Sequence, residues 1–384
     1  MEGPRACKKE ELSQVVDLIN ATFRISAGLN PTMQKEFPLL LSEENIDNMR
    51  VISAEGKVAA DVNYYPSKMN IEGTEINVAS IGAVCTHSDH RGKGYSSIIL
   101  DDIEKRLKES KTHLLFVSGG RSLYLRRGCT FCGKFYEFKT SIDVLNSIDN
   151  FNSKIAVEEV TEFNALDFIK VYNGDRSRFI RSFSEFNKLY NGATTIWDDF
   201  YYKTYVVRVQ SEIVAYFIIR VRKNENNELW GTMLEYSGDI YSILKGLQYA
   251  AKENNLKEYL IRCEYRDILS SYLLAMGSKY NEINQLGTVK IISFSDFMLQ
   301  LKDYFKLYIQ EEEFSNLNFY ETPELKIIQY KKETLELKQN EAEKLILGDW
   351  KDIKDEKPIS LEFKTILDKI FPIYIPWAGN INFV

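Results

Sequence analysis

Between Ala83 and Glu109 the chain reads AVCTHSDHRGKGYSSIILDDIEKRLKE. An apolar, strand-like run gives way to polar residues, a positive charge and two glycines, then resumes with the three-to-four apolar spacing of an amphipathic helix. The first backbone N–H groups of a helix have no partner within it, and the helix dipole adds partial positive charge there, so the mouth of a helix attracts anions. A diphosphate comes close only where the loop carries little side chain. Gly92 and Gly94 meet that need, and Arg91 and Lys93 add charge. The plainer alternative is a glycine-bearing strand-to-helix turn with both cations in water. Two other phosphate loops are excluded by the same residues. GxxxxGK[ST] does not occur, and Gly92-Lys93-Gly94-Tyr95-Ser96-Ser97 fails the dinucleotide fingerprint at its third glycine.

Cys129-Thr-Phe-Cys132 is the one CxxC in the chain and raises zinc or redox chemistry. A structural zinc site wants a second ligand pair; none is close by, and the only histidines are His87, His90 and His113. We therefore expect no metal and read the two thiols as ordinary residues of a strand, where Phe131, Gly133 and Phe135 alternate with other neighbours. Cys7, Cys85 and Cys263 bring the cysteines to an odd count spread along the chain, which fits reduced thiols.

Several elements must position the loop. The periodicity predicts a helix over Glu10 to Phe23 and strands over Met49 to Ser53, Lys57 to Tyr65 and Glu75 to Cys85. A helix from Tyr95 to Ser110, a strand from His113 to Val117, a short helix from Ser122 to Arg126 and a strand from Phe131 to Thr140 follow. This order is an α+β layout with helices on a mixed, largely antiparallel sheet. A weaker copy follows. Thr204 to Arg222 reads as two strands about a polar turn, Leu229 to Tyr236 as a third, and a helix, a strand and a short helix complete it by about Asn281. Where the first copy has Arg91 to Gly94, the second has Asp239 to Tyr241, without the glycines. From about Val289 the pattern changes to short strands and helices. The expected domains are 1–148, 149–285 and 286–384.

With 384 residues the chain exceeds what one core usually serves, and 44% apolar residues suffice for folding throughout. A net charge of −6 argues against a nucleic-acid partner. No stretch has the length of a signal peptide's apolar core or of a membrane span, so a cytoplasmic protein without a membrane partner is expected.

Arg91-Gly92-Lys93-Gly94-Tyr95-Ser96 fits R-x-x-G-x-[GA] with Ser96 at the last position, and it resembles the acyl-CoA pyrophosphate loop of the GCN5-related N-acetyltransferases (GNAT superfamily). SLYLRRGCTF resembles that family's Y-x-x-x-G-F motif, with Tyr124 and Gly128 in register and Cys129 where an aromatic is common. The resemblance implies acetyl-CoA as co-substrate, held by Arg91 to Ser97 (Arg91, Gly92, Lys93, Gly94, Tyr95, Ser96, Ser97). It also implies a bulged strand offering main-chain groups at Val84, Cys85 and Thr86 to the pantetheine arm and thioester. Tyr124 would be the general acid; its plainer reading is a packing residue, one of 23 tyrosines. The reaction implied is N-acetylation of an amine by direct transfer through a tetrahedral intermediate. The rivals are a module that binds CoA or lipid without catalysis and a lipid acyltransferase.

The whole layout, two such folds in tandem and a small α+β domain resembling sterol carrier proteins, is similar to the enhanced intracellular survival (Eis) family, which acetylates aminoglycosides and other amines. Its motif-grade part is confined to about Ala83 to Phe131. The acceptor would be a small-molecule or peptide amine, and assembly into a homo-oligomer is open. Arg24, near the expected entrance, offers a positive charge where a cationic antibiotic calls for carboxylates. Phe23 and Phe37 are candidates to line an apolar pocket, with core packing as the alternative. In that family the last residue's α-carboxylate, here that of Val384, reaches the first domain and takes the proton of the attacking amine.

Overall fold

A computed structural model of the chain describes residues 1–148, 155–195, 199–348 and 356–383; Val384 lies outside the described residues. The strands of the first part are Glu2–Ala6 (β1), Met49–Ala54 (β2), Lys57–Ile71 (β3), Thr74–Thr86 (β4) and Leu114–Val117 (β5). Phe135–Ser141 (β6), Ile155–Glu159 (β7), Ser177–Ile180 (β8), Phe200–Val209 (β9), Glu212–Lys223 (β10), Leu229–Gly238 (β11), Glu258–Glu264 (β12) and Lys279–Ile283 (β13) follow. The last are Thr288–Ile291 (β14), Leu317–Glu321 (β15), Lys326–Tyr330 (β16) and Glu333–Leu337 (β17). The helices that matter below are Leu12–Phe23 (α1), Met33–Glu36 (α2), Tyr95–Glu109 (α3), Ser122–Leu125 (α4), Ile142–Asn146 (α5), Ala165–Tyr172 (α6), Phe183–Ala193 (α7) and Ile240–Asn254 (α8).

The chain does not pack strictly in consecutive stretches of sequence. It forms two compact units: one of Met1–Gly133 with Leu286–Tyr374, the other of Lys134–Gln285 with Ile375–Phe383. This is seen in two strands. The run expected to close the first sheet at Phe131 starts only at Phe135 and pairs with β12 over its whole length, from Phe135↔Glu264 to Ser141↔Glu258. The outer partner of β5 is instead β14, antiparallel from Thr288↔Val117 to Ile291↔Leu114. Each strand has gone where a full antiparallel edge was free, which local periodicity does not encode.

In the first unit the strand order is β1-β2-β3-β4-β5-β14. Ile99, Leu100, Ile103 and Leu107 of α3 pack on one face, against Ala60, Val62, Ile81 and Val117. Val15 and Ile19 of α1 pack on the other, against Leu40, Val51 and Cys85. Residues 286–374 add β14 and the three-stranded sheet β15-β16-β17 to this unit. Their helix Gln339–Leu347 carries Glu343, which is fully buried. Its carboxylate accepts from the Ile291 N–H at 3.0 Å, from Gln339 Nε2 at 2.6 Å and from the Thr130 hydroxyl.

Burial pushes the Glu343 carboxyl up to about 7, against the hydrogen bonds from Thr130 and Gln339, which pull the other way. A folded-state value raised above the free one means that the native state holds the proton more tightly. The stability this contributes is complete below about pH 4.5 and is lost as pH rises through about 7. The gap amounts to about 3 kcal/mol at most. Chemical denaturation of the chain at steps from pH 5 to pH 8 is expected to show stability falling with pH, and Glu343→Gln is expected to flatten that slope. An unchanged slope in the variant would remove Glu343 as its source.

The second unit repeats the plan around a seven-stranded sheet of order β13-β6-β12-β11-β10-β9-β7. β11 and β12 run parallel, as β4 and β5 do, and α8 fills the place of α3 with Ile243, Leu244, Leu247 and Ala250 in the core. The duplication read from the sequence is therefore visible as two mixed sheets flanked by helices.

Candidate active site

The parallel pairing of β4 with β5 runs only from Val78↔Leu114 to Ile81↔Val117. β5 then ends, while β4 continues to Thr86 against β3 alone. On the side that β5 has left, the main chain of Gly82 to Thr86 has no strand partner among the described residues. Here β4 also bulges: Asp61 faces Cys85 but Asn63 faces Gly82, so one extra residue is inserted, and Ala83 sits at φ 51°. A non-glycine residue in the left-handed region needs support, and Asn63 supplies it. Its Nδ2 donates to the Ala83 carbonyl at 3.1 Å and to Asp61 Oδ2 at 2.7 Å.

Asp61 was not singled out from the sequence. It is 0% exposed, and burial holds its carboxyl well above the usual carboxylate range, the Asn63 hydrogen bond opposing. Asp61 Oδ1 and Asn63 Oδ1 have no partner among the described residues. The only available signal was a lone acid in the apolar run VAADVNYY, and such a residue must be satisfied in the fold by something the sequence does not name.

From Thr86 the chain passes through a 3₁₀ turn, Ser88–His90, into Arg91 to Gly94, all exposed, and then into α3. Gly92 and Gly94 both adopt φ 77°, and a Cβ built on either would meet nothing within 4 Å. Glycine is thus required by backbone conformation, with open space in front of it. Gly94 is the N-cap of α3 and offers no side-chain cap, so the first N–H groups of the helix remain available. The second unit makes the opposite choice. Asp239 caps α8, its Oδ2 accepting from the Ser242 N–H at 2.8 Å, which fills with a carboxylate the place an external anion would take.

Side chains hold the first turn of α3 in place. Thr86 Oγ1 and Ser96 Oγ lie 2.8 Å apart, tying the end of β4 to the helix. Arg127 Nη2 donates to the Ser97 carbonyl at 2.8 Å, and Arg127 Nη1 to Asp101 at 2.6 Å. Tyr95 stacks on His90, with ring centroids 6.0 Å apart, and Lys93 Nζ is 3.0 Å from His90 Nδ1.

Tyr124 lies on α4, in the cluster that also holds Ile81, Val117 and Val84. It is 7% exposed, and its hydroxyl has no hydrogen-bond partner among the described residues. Burial raises its phenol above the ordinary value; Arg121 opposes, while Cys129 and Cys85 add to the rise. Gly128, at φ 84°, turns the chain after α4. Cys129 and Cys132 are buried free thiols, outside any strand, and burial pushes Cys129 up to about 12 and Cys132 well above its ordinary value. Thiolate chemistry is disfavoured at both, and no metal-holding cluster occurs among the described residues.

Phe23 and Phe37 are half-buried and pack in the cluster that contains Ala83 and Cys85, so both stand by the bulge. Arg24 requires a correction. Its Nε and Nη2 donate to Glu36 at 2.9 and 2.6 Å, so the cation expected at the entrance is neutralised within the chain. A cationic acceptor is not disfavoured on its account.

Comparison with known proteins bears on the fold that carries these residues. Residues 4–132 match the family model described as an acetyltransferase (GNAT) domain. No curated protein matches the chain. Among solved structures, a GCN5-related N-acetyltransferase from Anabaena variabilis aligns with TM-score 0.67 at 12% identity, covering 96% of each chain. A probable N-acyltransferase from Enterococcus faecalis aligns with TM-score 0.65 at 12% identity over 97% of each. Eis1 from Mycobacterium abscessus aligns with TM-score 0.63 at 9% identity, covering 99% of this chain and 100% of that one. At such identities the likeness is one of fold, and it runs the length of the chain. No helix among the described residues is long and apolar enough to cross a membrane. Residues 4–132, then, match an acetyltransferase (GNAT) domain, and the chain as a whole is similar in fold to Eis1.

Proposed function

We propose that the protein transfers an acetyl group from acetyl-CoA to the amine of a small molecule or peptide. The observation that carries this reading is the uncapped N-terminus of α3 behind two left-handed glycines, set beside the unpaired end of β4. These residues fit the ligand. Backbone N–H groups at Gly92 to Ser96 would take the diphosphate, with Arg91 and Lys93 at the rim. Val84 to Thr86 would align the pantetheine arm, and a main-chain N–H there would polarise the thioester carbonyl. The amine nitrogen bonds to the carbonyl carbon, the C–S bond breaks, the leaving sulfur takes the proton of the Tyr124 hydroxyl, and the proton that the nitrogen sheds passes to water, from which the phenolate is reprotonated. Asn63, by holding Ala83 in its bulge, keeps the main-chain donors in register. Phe23 and Phe37 would receive an apolar part of the acceptor. The likeness of residues 286–384 to sterol carrier proteins belongs to the same proposal.

The direct experiment is release of free thiol from acetyl-CoA across a panel of polyamines, aminoglycosides, peptides and aromatic amines. At least one class is expected to raise release well above solvent hydrolysis. Acetyl-CoA binding without release for any class would favour a module that holds CoA without catalysis.

A further inference from the structure

In the second unit Ala215, Phe217, Ile219 and Val221 of β10 belong to the core beneath α8. Arg220 and Arg222 therefore lie on the opposite face of the sheet. Cross-strand register sets Arg220 beside Tyr202 of β9 and Thr232 of β11, and Arg222 beside Phe200 and Trp230. The Arg222 guanidinium stacks on Trp230 at 4.1 Å from the ring centroid, and that of Arg220 lies 5.2 Å from Phe200.

This face is short of acceptors. Arg220 Nε, Arg222 Nε, Trp230 Nε1 and Thr232 Oγ1 are all buried without a hydrogen-bond partner among the described residues. Neither Arg220 nor Arg222 has a carboxylate partner there, although nearby Arg262 pairs with Glu137 at 2.7 Å. Like charges stand together as a result: burial lowers the Arg222 guanidinium below its ordinary value, and Arg220 and Arg262 lower it further. A sheet face that packed only for stability would not gather unpaired donors and uncancelled charge at adjacent register positions. Both arginines are half-buried, so their outer nitrogens reach solvent.

We propose that Arg220 and Arg222, with Trp230 and Thr232 beneath them, form a binding site for a phosphate group on a small molecule. Among the described residues neither guanidinium has an acceptor on its Nε edge, and such an edge matches two oxygens of a phosphate. A dianion balances the pair where one carboxylate would not. The indole N–H and the threonine hydroxyl are neutral donors suited to the remaining oxygens. The site lies on the second sheet and does not depend on acetyl transfer by the first.

The test is calorimetric titration of the full chain with inorganic phosphate at constant ionic strength, with chloride as the balancing anion. Saturable binding is expected, weakened at least tenfold in Arg220→Gln/Arg222→Gln and to a lesser degree in Arg222→Lys, which keeps the charge but loses the fork. Tryptophan fluorescence should change on binding in the native chain and stay constant in Trp230→Phe. Binding that survives the double substitution but is lost in Lys93→Gln belongs to the α3 loop and would overturn the proposal. Absence of saturable binding by a variant-sensitive site would overturn it too, as would binding of a poly-glutamate peptide but not of phosphate, which points to an acidic protein segment. Thermal unfolding of the double variant at or above the native midpoint shows that any loss is not one of folding.

Discussion

Tyr124→Phe is expected to lower turnover on the order of 10²-fold while leaving acetyl-CoA affinity within about twofold of the native value. The substitution removes one oxygen atom and leaves the ring in its cluster with Ile81 and Val117, so packing should survive. What is lost is a phenol that burial keeps protonated at neutral pH and that has no hydrogen-bond partner among the described residues. A hydroxyl with no partner in the chain is available to a ligand, and a departing thiolate would take its proton. The pH profile gives a second readout. With the phenol raised by burial, turnover in the native protein should hold through pH 9, and any alkaline decline from its ionisation should vanish in the variant. Native turnover in Tyr124→Phe, with the same profile, would make Tyr124 a packing residue and send the search for the acid elsewhere.

Whatever depends on near neighbours in the chain was legible from sequence. Arg91 to Ser96 announced a bare helix mouth because glycine spacing and the onset of helical periodicity are both local. α3 starts at Tyr95, where that pattern begins. The β4 bulge was expected from family resemblance alone, since nothing in VASIGAVCT marks Ala83 as left-handed. The strand Glu2–Ala6 escaped notice because Gly3 and Pro4 speak against a strand; Pro4 is tolerated because β1 is an edge of its sheet. The partners of β6 and β14 were not legible for a related reason. Their pairing is decided by which edge lies open after the rest of each sheet has formed, and that information is spread over the chain.

Charges tell the same story at the level of side chains. Arg24 reads as a free cation in NATFR and is in fact held by Glu36, twelve residues on, because α2 turns back against α1. For Arg220 and Arg222 in IIRVRK the sequence names no partner, and among the described residues neither pairs with a carboxylate. The sequence states which charges exist, and only the fold states which are cancelled. Asp61 is the converse case, an acid whose burial holds its carboxyl well above the usual carboxylate range.

Acetyl-CoA is expected to raise the melting temperature of the native protein, and Gly94→Trp is expected to abolish that rise and weaken binding at least 10²-fold. Two effects act together. At φ 77° a residue with a Cβ is strained by about 1–2 kcal/mol, so the loop is pushed from the conformation that presents its N–H groups. The indole would also occupy the open space in front of Gly94, where nothing of the chain lies within 4 Å of a Cβ. Because that space is empty, the unliganded variant should unfold within a few degrees of the native midpoint, which separates lost binding from lost folding. Asp239→Ala is the matching change in the second copy. It removes the α8 cap and should cost about 1 kcal/mol of stability, yet leave acetyl-CoA binding untouched. If Gly94→Trp bound acetyl-CoA as the native protein does, the mouth of α3 would not be the diphosphate site. If Asp239→Ala lost binding, the assignment of the ligand to the first copy alone would fail.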